Sequence, residues 1–268
     1  IALGRFDGSD MRIRFWNWWN NGYCNAFGKD SGRSSSVGLG GNIAKSIDCN
    51  ECRVGEIPTP TYKAKTEDAG NGSLMRFAPI TLFGFGTGEM LLEMARMSIY
   101  TTHPGIIAAE ACAFHAYIIE QALREPLGTN TKAFLDRVCA EYKQKLEGKS
   151  GWGWDQMHAL VASTPLSEKE ACWNWKAETF KVSDTLKARG RSYNGYPVSA
   201  GYFGAYSMDG LAMALHVVYN NTSFEKTVAH AINLLGDADS TGSIAGQIAG
   251  ALSAPTSFFG PQKIMKLF

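Results

Sequence analysis

A run of small residues behind a pair of carboxylates is the feature that most constrains how this chain folds. Gly-Asp-Ala-Asp-Ser-Thr-Gly occupies residues 236–242, and Gly, Ala and Ser stay frequent through residue 251. Gly246 and Gly250 lie four apart, so they share one helix face, where another backbone can approach closely. Ser, Gln and Gly dilute the apolar residues too much for a membrane span. The pattern predicts a buried helix that begins at an acidic turn.

The turn itself offers hard oxygen ligands. One residue separates Asp237 from Asp239, and the hydroxyl of Ser240 follows directly. Mg²⁺, Ca²⁺ and Mn²⁺ prefer such oxygens. Two buried carboxylates this close would repel each other, and one would take up a proton unless a cation lay between them. An alternative stays open from the residues alone, because Asp and Ser are also favoured helix N-caps.

A second motif lies near the middle of the chain. The sequence Gly70-Asn71-Gly72-Ser73 tolerates positive φ angles and close backbone approach. An apolar segment follows it, so its N–H groups could face an anion such as a phosphate. Taken alone, the motif predicts no more than a turn.

A third motif is Thr-His-Pro at residues 102–104. Pro104 forbids smooth continuation of the preceding helix and suits the first turn of the next one. This places His103 at a helix start, where its side chain can point into a cleft. A lone histidine is more often structural than functional.

The three motifs together resemble the ADP-ribosylglycohydrolase family. This family includes the dinitrogenase reductase-activating glycohydrolases and the ADP-ribosyl-arginine and ADP-ribosyl-serine hydrolases. The motifs stand in the family's order, and the resemblance runs from about residue 2 to residue 254. It implies Mg²⁺ or Mn²⁺, two ions in the complete family site, with Asp237, Asp239 and Ser240 as ligands and the two aspartates at the catalytic centre. It also implies that Gly70–Ser73 and His103 contact ADP-ribose or an ADP-ribosylated protein.

The start of the chain departs from that pattern. In the resembled family, a segment like residues 1–7 follows a Thr-Asp-Asp motif that supplies the other metal ligands, and this motif is absent from the sequence. Either the chain is processed or truncated, or the first half-site is missing. The expectation is weak, single-ion binding and little hydrolysis unless those carboxylates are restored.

Helical periodicity dominates the chain, and no stretch alternates convincingly as a strand would. The sequence predicts one all-α domain over residues 1–268, N-terminally incomplete relative to the family, and the resemblance implies a compact orthogonal helical bundle. Asp209 is expected to cap a helix near residue 207. Residues 189–197 read as a basic, aromatic loop, and a solvated connection is favoured over a substrate contact.

Composition bounds the partners and the compartment. Lys plus Arg number 26 against 25 for Asp plus Glu, which argues against a general nucleic-acid surface. No apolar run reaches membrane-spanning length and no signal peptide is visible. Cys49 and Cys52 form a CxxC without the second pair that a zinc site needs, so all six cysteines are expected to be free thiols of a reducing, cytoplasmic protein.

Two functional hypotheses follow. In the first, the chain is a metal-dependent hydrolase that removes ADP-ribose from protein side chains or other conjugates, and the linkage acceptor is not readable from the residues. In the second, it is a catalytically inactive relative with a structural or binding role in a larger assembly.

Overall fold

The computed structural model describes residues 5–25, 38–47, 55–57 and 69–254. This part of the chain is mostly helical, so the all-α prediction is confirmed. A two-residue hairpin, β1 (Ser192–Tyr193) and β2 (Tyr196–Pro197), and two short 3-10 helices, Glu168–Trp173 and Ala200–Tyr202, interrupt the helices. In chain order the α-helices are α1 (Gly8–Asn21), α2 (Gly41–Ile47), α3 (Gly72–Met75), α4 (Ala78–Phe83), α5 (Glu89–Tyr100), α6 (Ile106–Ala122), α7 (Thr131–Lys145), α8 (Trp152–Ala162), α9 (Val182–Arg189), α10 (Ser207–Tyr219), α11 (Phe224–Asn233) and α12 (Ala238–Ser253).

Helix α6 lies at the centre of the core. All its residues except Tyr117 and Gln121 are buried, because Ala, Ile and Phe surround the whole helix axis rather than one stripe. It packs against α3, α4, α5, α7, α8, α10 and α12. Helix α10 is buried almost as completely, and α12 packs between α10 and α11. The predicted burial of α12 therefore holds.

Local capping sets several helix starts. Asp7 caps α1 by accepting the Asp10 N–H at 3.0 Å. Ser223 caps α11 by accepting the Lys226 N–H at 3.3 Å. The N-cap of α6 is Gly105, so Pro104 precedes the cap and does not lie in the first helical turn as predicted.

The small-residue face of α12 receives a side chain, not a second backbone. A Cβ built at Gly246 or Gly250 would stand 3.8 or 3.9 Å from Cε2 of Phe224 on α11. These distances are ordinary van der Waals contacts, so an alanine would fit at either position. The expectation of a very close backbone approach was wrong, since the ring of Phe224 occupies that space.

The structure also bears on the expected free thiols and on the expected absence of a membrane span. Cys24, Cys112, Cys139 and Cys172 are free thiols, whereas Cys49 and Cys52 lie outside the described residues. In the described ranges, no helix combines the length and apolarity needed to cross a membrane.

His115 of α6 is an uncompensated polar side chain in the core. It is fully buried, and within the described part of the chain neither ring nitrogen has a hydrogen-bond partner. Burial lowers the pKa of His115 to about 4, an effect that the nearby Gln247 side chain only partly offsets. His115 is therefore neutral in the folded protein at pH 7.

We expect acid to destabilise the fold through this residue. An unfolded histidine has a pKa near ~6.5, so between about pH 6.5 and 4 the unfolded state binds a proton that the folded state refuses. Above about pH 6.5 neither state binds this proton and the free energy of unfolding is unaffected, whereas by pH 5 it is lowered by about 2 kcal/mol. Urea denaturation from pH 7.5 to 5 should show this slope, and His115→Phe should reduce the loss by about 2 kcal/mol at pH 5, leaving the part that the buried His103 contributes. An unchanged slope in the variant would assign the acid sensitivity to other groups.

Candidate functional site

Two segments far apart in sequence pair at the site. The carbonyl of Ala69 accepts the Ser207 N–H at 2.8 Å, and the Asn71 N–H donates to the Ala205 carbonyl at 2.9 Å. Between them, Gly70 forms an antiparallel bridge with Tyr206. This pairing holds the Gly-Asn-Gly loop against the start of α10. It also occupies the Asn71 N–H, which is therefore not offered to an anion.

The acidic turn packs against the segment that precedes α10, and a glycine makes this contact possible. Gly236 has φ +71°, and a Cβ there would lie 2.4 Å from the carbonyl oxygen of Phe203. The following residue, Asp237, donates its N–H to that same oxygen at 2.8 Å. Glycine is thus required twice, for the left-handed conformation and for the close approach. The preceding Leu235 is also left-handed at φ +62°.

Asn71 and Asp237 are in direct contact. The Asn71 side-chain amide donates to Oδ2 of Asp237 at 2.6 Å and to the carbonyl of Gly204 at 2.9 Å. Oδ1 of Asp237 accepts the hydroxyl of Ser240 at 2.9 Å. Asp237 occupies the N-cap position of α12, yet its oxygens accept from these side chains instead of from a backbone N–H of the helix. The geometry therefore differs from a simple helix cap.

The two carboxylates of the turn have different surroundings. Asp237 is half-buried and Asp239 is exposed, so the premise that both are buried was wrong. Burial, and next the neighbouring Asp239, raise the pKa of Asp237, while the hydrogen bonds from Asn71 and Ser240 lower it. The net direction is upward, because the loss of solvation outweighs the two hydrogen bonds.

His103 lies behind the Gly-Asn-Gly loop. A Cβ built at Gly72 would stand 3.7 Å from its Cε1, and the side chain is buried. Arg76 donates to Thr102 Oγ1 at 2.6 Å, and Thr102 Oγ1 lies within hydrogen-bond distance of His103 Nδ1, at 2.9 Å. Burial, then the charge of Arg76, lowers the pKa of His103 to about 3. His103 is therefore neutral at pH 7.

The rest of the loop faces inward. Ser73 is fully buried, and its hydroxyl accepts a hydrogen bond from the Cys112 thiol at 3.6 Å. Gly72 begins the short helix α3. Helix α12 is fixed to the end of α3, because Ser243 Oγ donates to the carbonyl of Met75 at 3.0 Å and Gln247 Nε2 donates to that of Leu74 at 2.9 Å.

A cavity of about 510 Å³ opens beside the loop. Ser243 lines it and lies four residues after Asp239, so the cavity and the exposed carboxylate share one side of α12. Its volume is in the range of small-molecule sites. The cavity is lined by Arg14, Phe15, Trp18, Tyr23, Cys24, Gly38, Leu39, Ile43, Ile47, Gly72, Met75, Arg76, Thr102 and Ser243. Phe15 and Trp18 of α1 both line this cavity.

The donor set of the turn fits a hard divalent cation in part. Asp237, Asp239 and Ser240 contribute only oxygen atoms, and each Asp237 oxygen keeps a second lone pair beyond its one hydrogen bond. The described ranges contain no cluster of three or more His, Cys, Asp or Glu side chains arranged as metal ligands. These residues therefore suit one face of a metal site.

Sequence reasoning misplaced Asp209 and Arg189. Asp209 caps no helix: Tyr206 is the N-cap of α10, and the Asp209 carboxylate is buried against Arg189. The two Arg189 Nη atoms donate to its oxygens at 2.5 and 2.8 Å. Arg189 ends α9 and is not part of a solvated loop. A buried pair that lies twenty residues apart leaves no local periodic signal, so only the packing revealed it.

Comparison with known proteins gives a consistent assignment. The family profile described as ADP-ribosylglycohydrolase matches residues 1–256. Among solved structures, the chain is similar to one titled "ADP-ribosylglycohydrolase-related protein complex", with 22% identity and a TM-score of 0.59. The match covers 97% of this chain and 68% of that chain, and at this identity it supports the fold alone. The search of curated proteins found no match.

We expect Gly236→Ala to damage the site and the fold together. The added Cβ would meet the Phe203 carbonyl at 2.4 Å in a left-handed backbone, which we expect to cost about 2–4 kcal/mol. Gly242→Ala on α12 is the matched control, because a Cβ there meets nothing within 4 Å and a helical alanine is favoured by up to about 1 kcal/mol. Urea denaturation of both variants measures the difference. Equal stability of the two would show that the turn relaxes freely.

Proposed function

The chain belongs to the ADP-ribosylglycohydrolase family, and we propose that it cleaves the glycosidic bond between ADP-ribose and a protein side chain with the help of Mg²⁺ or Mn²⁺. The observation that carries this proposal is the 2.6 Å hydrogen bond from Asn71 to Asp237, which joins the Gly-Asn-Gly loop to the acidic turn. The two motifs are 166 residues apart, so their contact is a property of the fold and not of local sequence.

In this proposal the two carboxylates of the acidic turn have different roles. Asp237 is held by Asn71 on one oxygen and by Ser240 on the other, so its orientation is fixed before any ligand arrives. Asp239 is exposed and carries the charge that a substrate or a cation meets first. Asp237, Asp239 and Ser240 would hold the cation, which when bound orients and polarises the ribose hydroxyls.

Hydrolysis requires water at the anomeric carbon. In the proposed reaction the exposed Asp239 carboxylate holds a water and accepts its proton as the oxygen attacks C1″. The bond from C1″ to the side-chain nitrogen or oxygen breaks through an oxocarbenium-like state. The departing atom takes up a proton from solvent and Asp239 returns the water's proton to solvent, so the net reaction adds hydroxyl to C1″ and hydrogen to the side chain. Asp237, fixed by its two hydrogen bonds, presents negative charge beside the positive charge that develops on the ribose.

The surroundings support a ligand larger than a ribose. The cavity beside Gly72 has a volume of about 510 Å³ and lies along the same side of α12 as Asp239. Arg76 lines it and is positively charged at pH 7, although burial lowers its pKa to about 10. An aromatic wall with a nearby cation suits a nucleotide. His103 lies behind Gly72, so we assign it to support of the loop and not to direct proton transfer.

We expect Asp239→Ala to lose measurable Mn²⁺ binding and ADP-ribose release, because it removes the exposed carboxylate of the turn. Calorimetry with Mn²⁺ and with ADP-ribose, together with release of ADP-ribose from arginine-linked and serine-linked ADP-ribosyl peptides, provides the measurements. Asp184→Ala is the matched control, since Asp184 also lies in the first turn of a helix and is exposed. Metal affinity in Asp239→Ala equal to that of the parent would contradict the assignment of the turn to a metal site.

The alternative of an inactive relative has its own outcome in the same experiment. ADP-ribose binding that is weakened by Asn71→Ala, without release from either class of peptide, would indicate a binding protein. The absence of both binding and release would contradict the proposed function.

A further inference from the structure

The Arg189–Asp209 ion pair is buried away from the turn, and the site described so far does not use it. Its side chains are 4% and 3% exposed, and the guanidinium binds the carboxylate through two parallel hydrogen bonds of 2.5 and 2.8 Å. Burying two charges carries a large desolvation cost, so such a pair is weak evidence for net stability. Two-point Arg–carboxylate binding does, however, fix geometry.

Further contacts remove the remaining freedom of the pair. Trp173 Nε1 donates to Asp209 Oδ1 at 2.9 Å, and Arg189 Nε donates to the carbonyl of Lys169 at 2.7 Å. The Arg189 guanidinium lies over the ring of Tyr193 at 3.8 Å and within 5.8 Å of the Phe203 ring centroid. The guanidinium is therefore held in a fixed position against the rings of Tyr193 and Phe203.

The segment that begins at Phe203 supplies three carbonyl groups that accept hydrogen bonds at the site. Residues 203, 204 and 205 accept the Asp237 N–H, the Asn71 side-chain amide and the Asn71 N–H, at 2.8, 2.9 and 2.9 Å. Gly210, directly after Asp209, packs against this segment so tightly that a Cβ there would lie 2.7 Å from the Gly204 carbonyl oxygen. Each member of the ion pair thus adjoins the segment that holds Asn71 and Asp237.

We infer that Arg189, through its pair with Asp209 and its stacking on Tyr193 and Phe203, is a positioning residue for the Asn71–Asp237 contact. The inference rests on the proposed function where it concerns metal and substrate. It acts through the carbonyl groups of residues 203–205, whose placement sets the direction in which Asp237 presents its carboxylate. The Arg189 side chain itself touches neither Asn71 nor Asp237 in any hydrogen bond of the described chain.

The test compares Arg189→Lys with Arg96→Lys. Arg96 and Glu110 form the matched pair, because they too are joined by two hydrogen bonds, of 2.8 and 3.2 Å, but connect α5 to α6. Lysine keeps the charge and loses the second hydrogen bond in both cases. We would measure, in both variants, hydrogen exchange of the backbone N–H groups of Asn71 and Asp237 in the metal-free protein. Mn²⁺ affinity would be measured by calorimetry. Both results would be compared after correction for the change in global stability of each variant, taken from its urea unfolding midpoint.

Arg189→Lys should speed exchange at the Asn71 and Asp237 amides about tenfold or more and weaken Mn²⁺ binding by about tenfold, the usual effect of losing a supporting contact. Arg96→Lys should change neither beyond its effect on stability. Equal behaviour of the two variants would overturn the inference. If Arg189→Lys does not fold, Tyr193→Leu removes the stacking at a half-buried position and must show the same direction. The exchange readout needs no metal, so it decides the inference even if the parent binds none.

Discussion

The hydrogen bond between Asn71 and Asp237 is the interaction on which the site depends. Three chain segments meet there, residues 69–73, 203–207 and 236–240, and each supplies at least one hydrogen bond to another. Burial disfavours the charged form of Asp237 and raises its pKa, and the nearby Asp239 adds to that cost. The amide of Asn71 and the hydroxyl of Ser240 offset part of that cost and orient the carboxylate.

Glycine makes this meeting possible. Gly236 lets the turn approach the Phe203 carbonyl, and Gly210 lets α10 approach the Gly204 carbonyl, where built Cβ atoms would stand 2.4 and 2.7 Å away. The turn is also strained, because the residue before Gly236, Leu235, adopts a left-handed backbone conformation. Strain of this kind persists only where surrounding contacts over-determine it. The buried Arg189–Asp209 pair and the paired segments provide such contacts.

The family assignment and the geometry support one another at different levels. The profile match over residues 1–256 establishes the family, and the solved relative at 22% identity supports the fold. Cleavage of a glycosidic bond is a proposal that rests on the exposed Asp239 and on the cavity of about 510 Å³ beside Gly72. The metal, the substrate, the single-domain organisation and the cytoplasmic location stay predictions.

The sequence by itself determined the helical class, the buried α12 and the identity of the two motifs, because periodicity, small residues and turn chemistry are local properties. It could not determine that Asn71 binds Asp237, that Asp239 is exposed while its neighbour is half-buried, or that His103 lies behind Gly72. These depend on which helices meet, and contacts between residues 26 to 166 positions apart leave no periodic trace. Asp209 shows the limit most clearly: an acid in a first helical turn reads as a cap, and only the tertiary structure gives it a buried arginine.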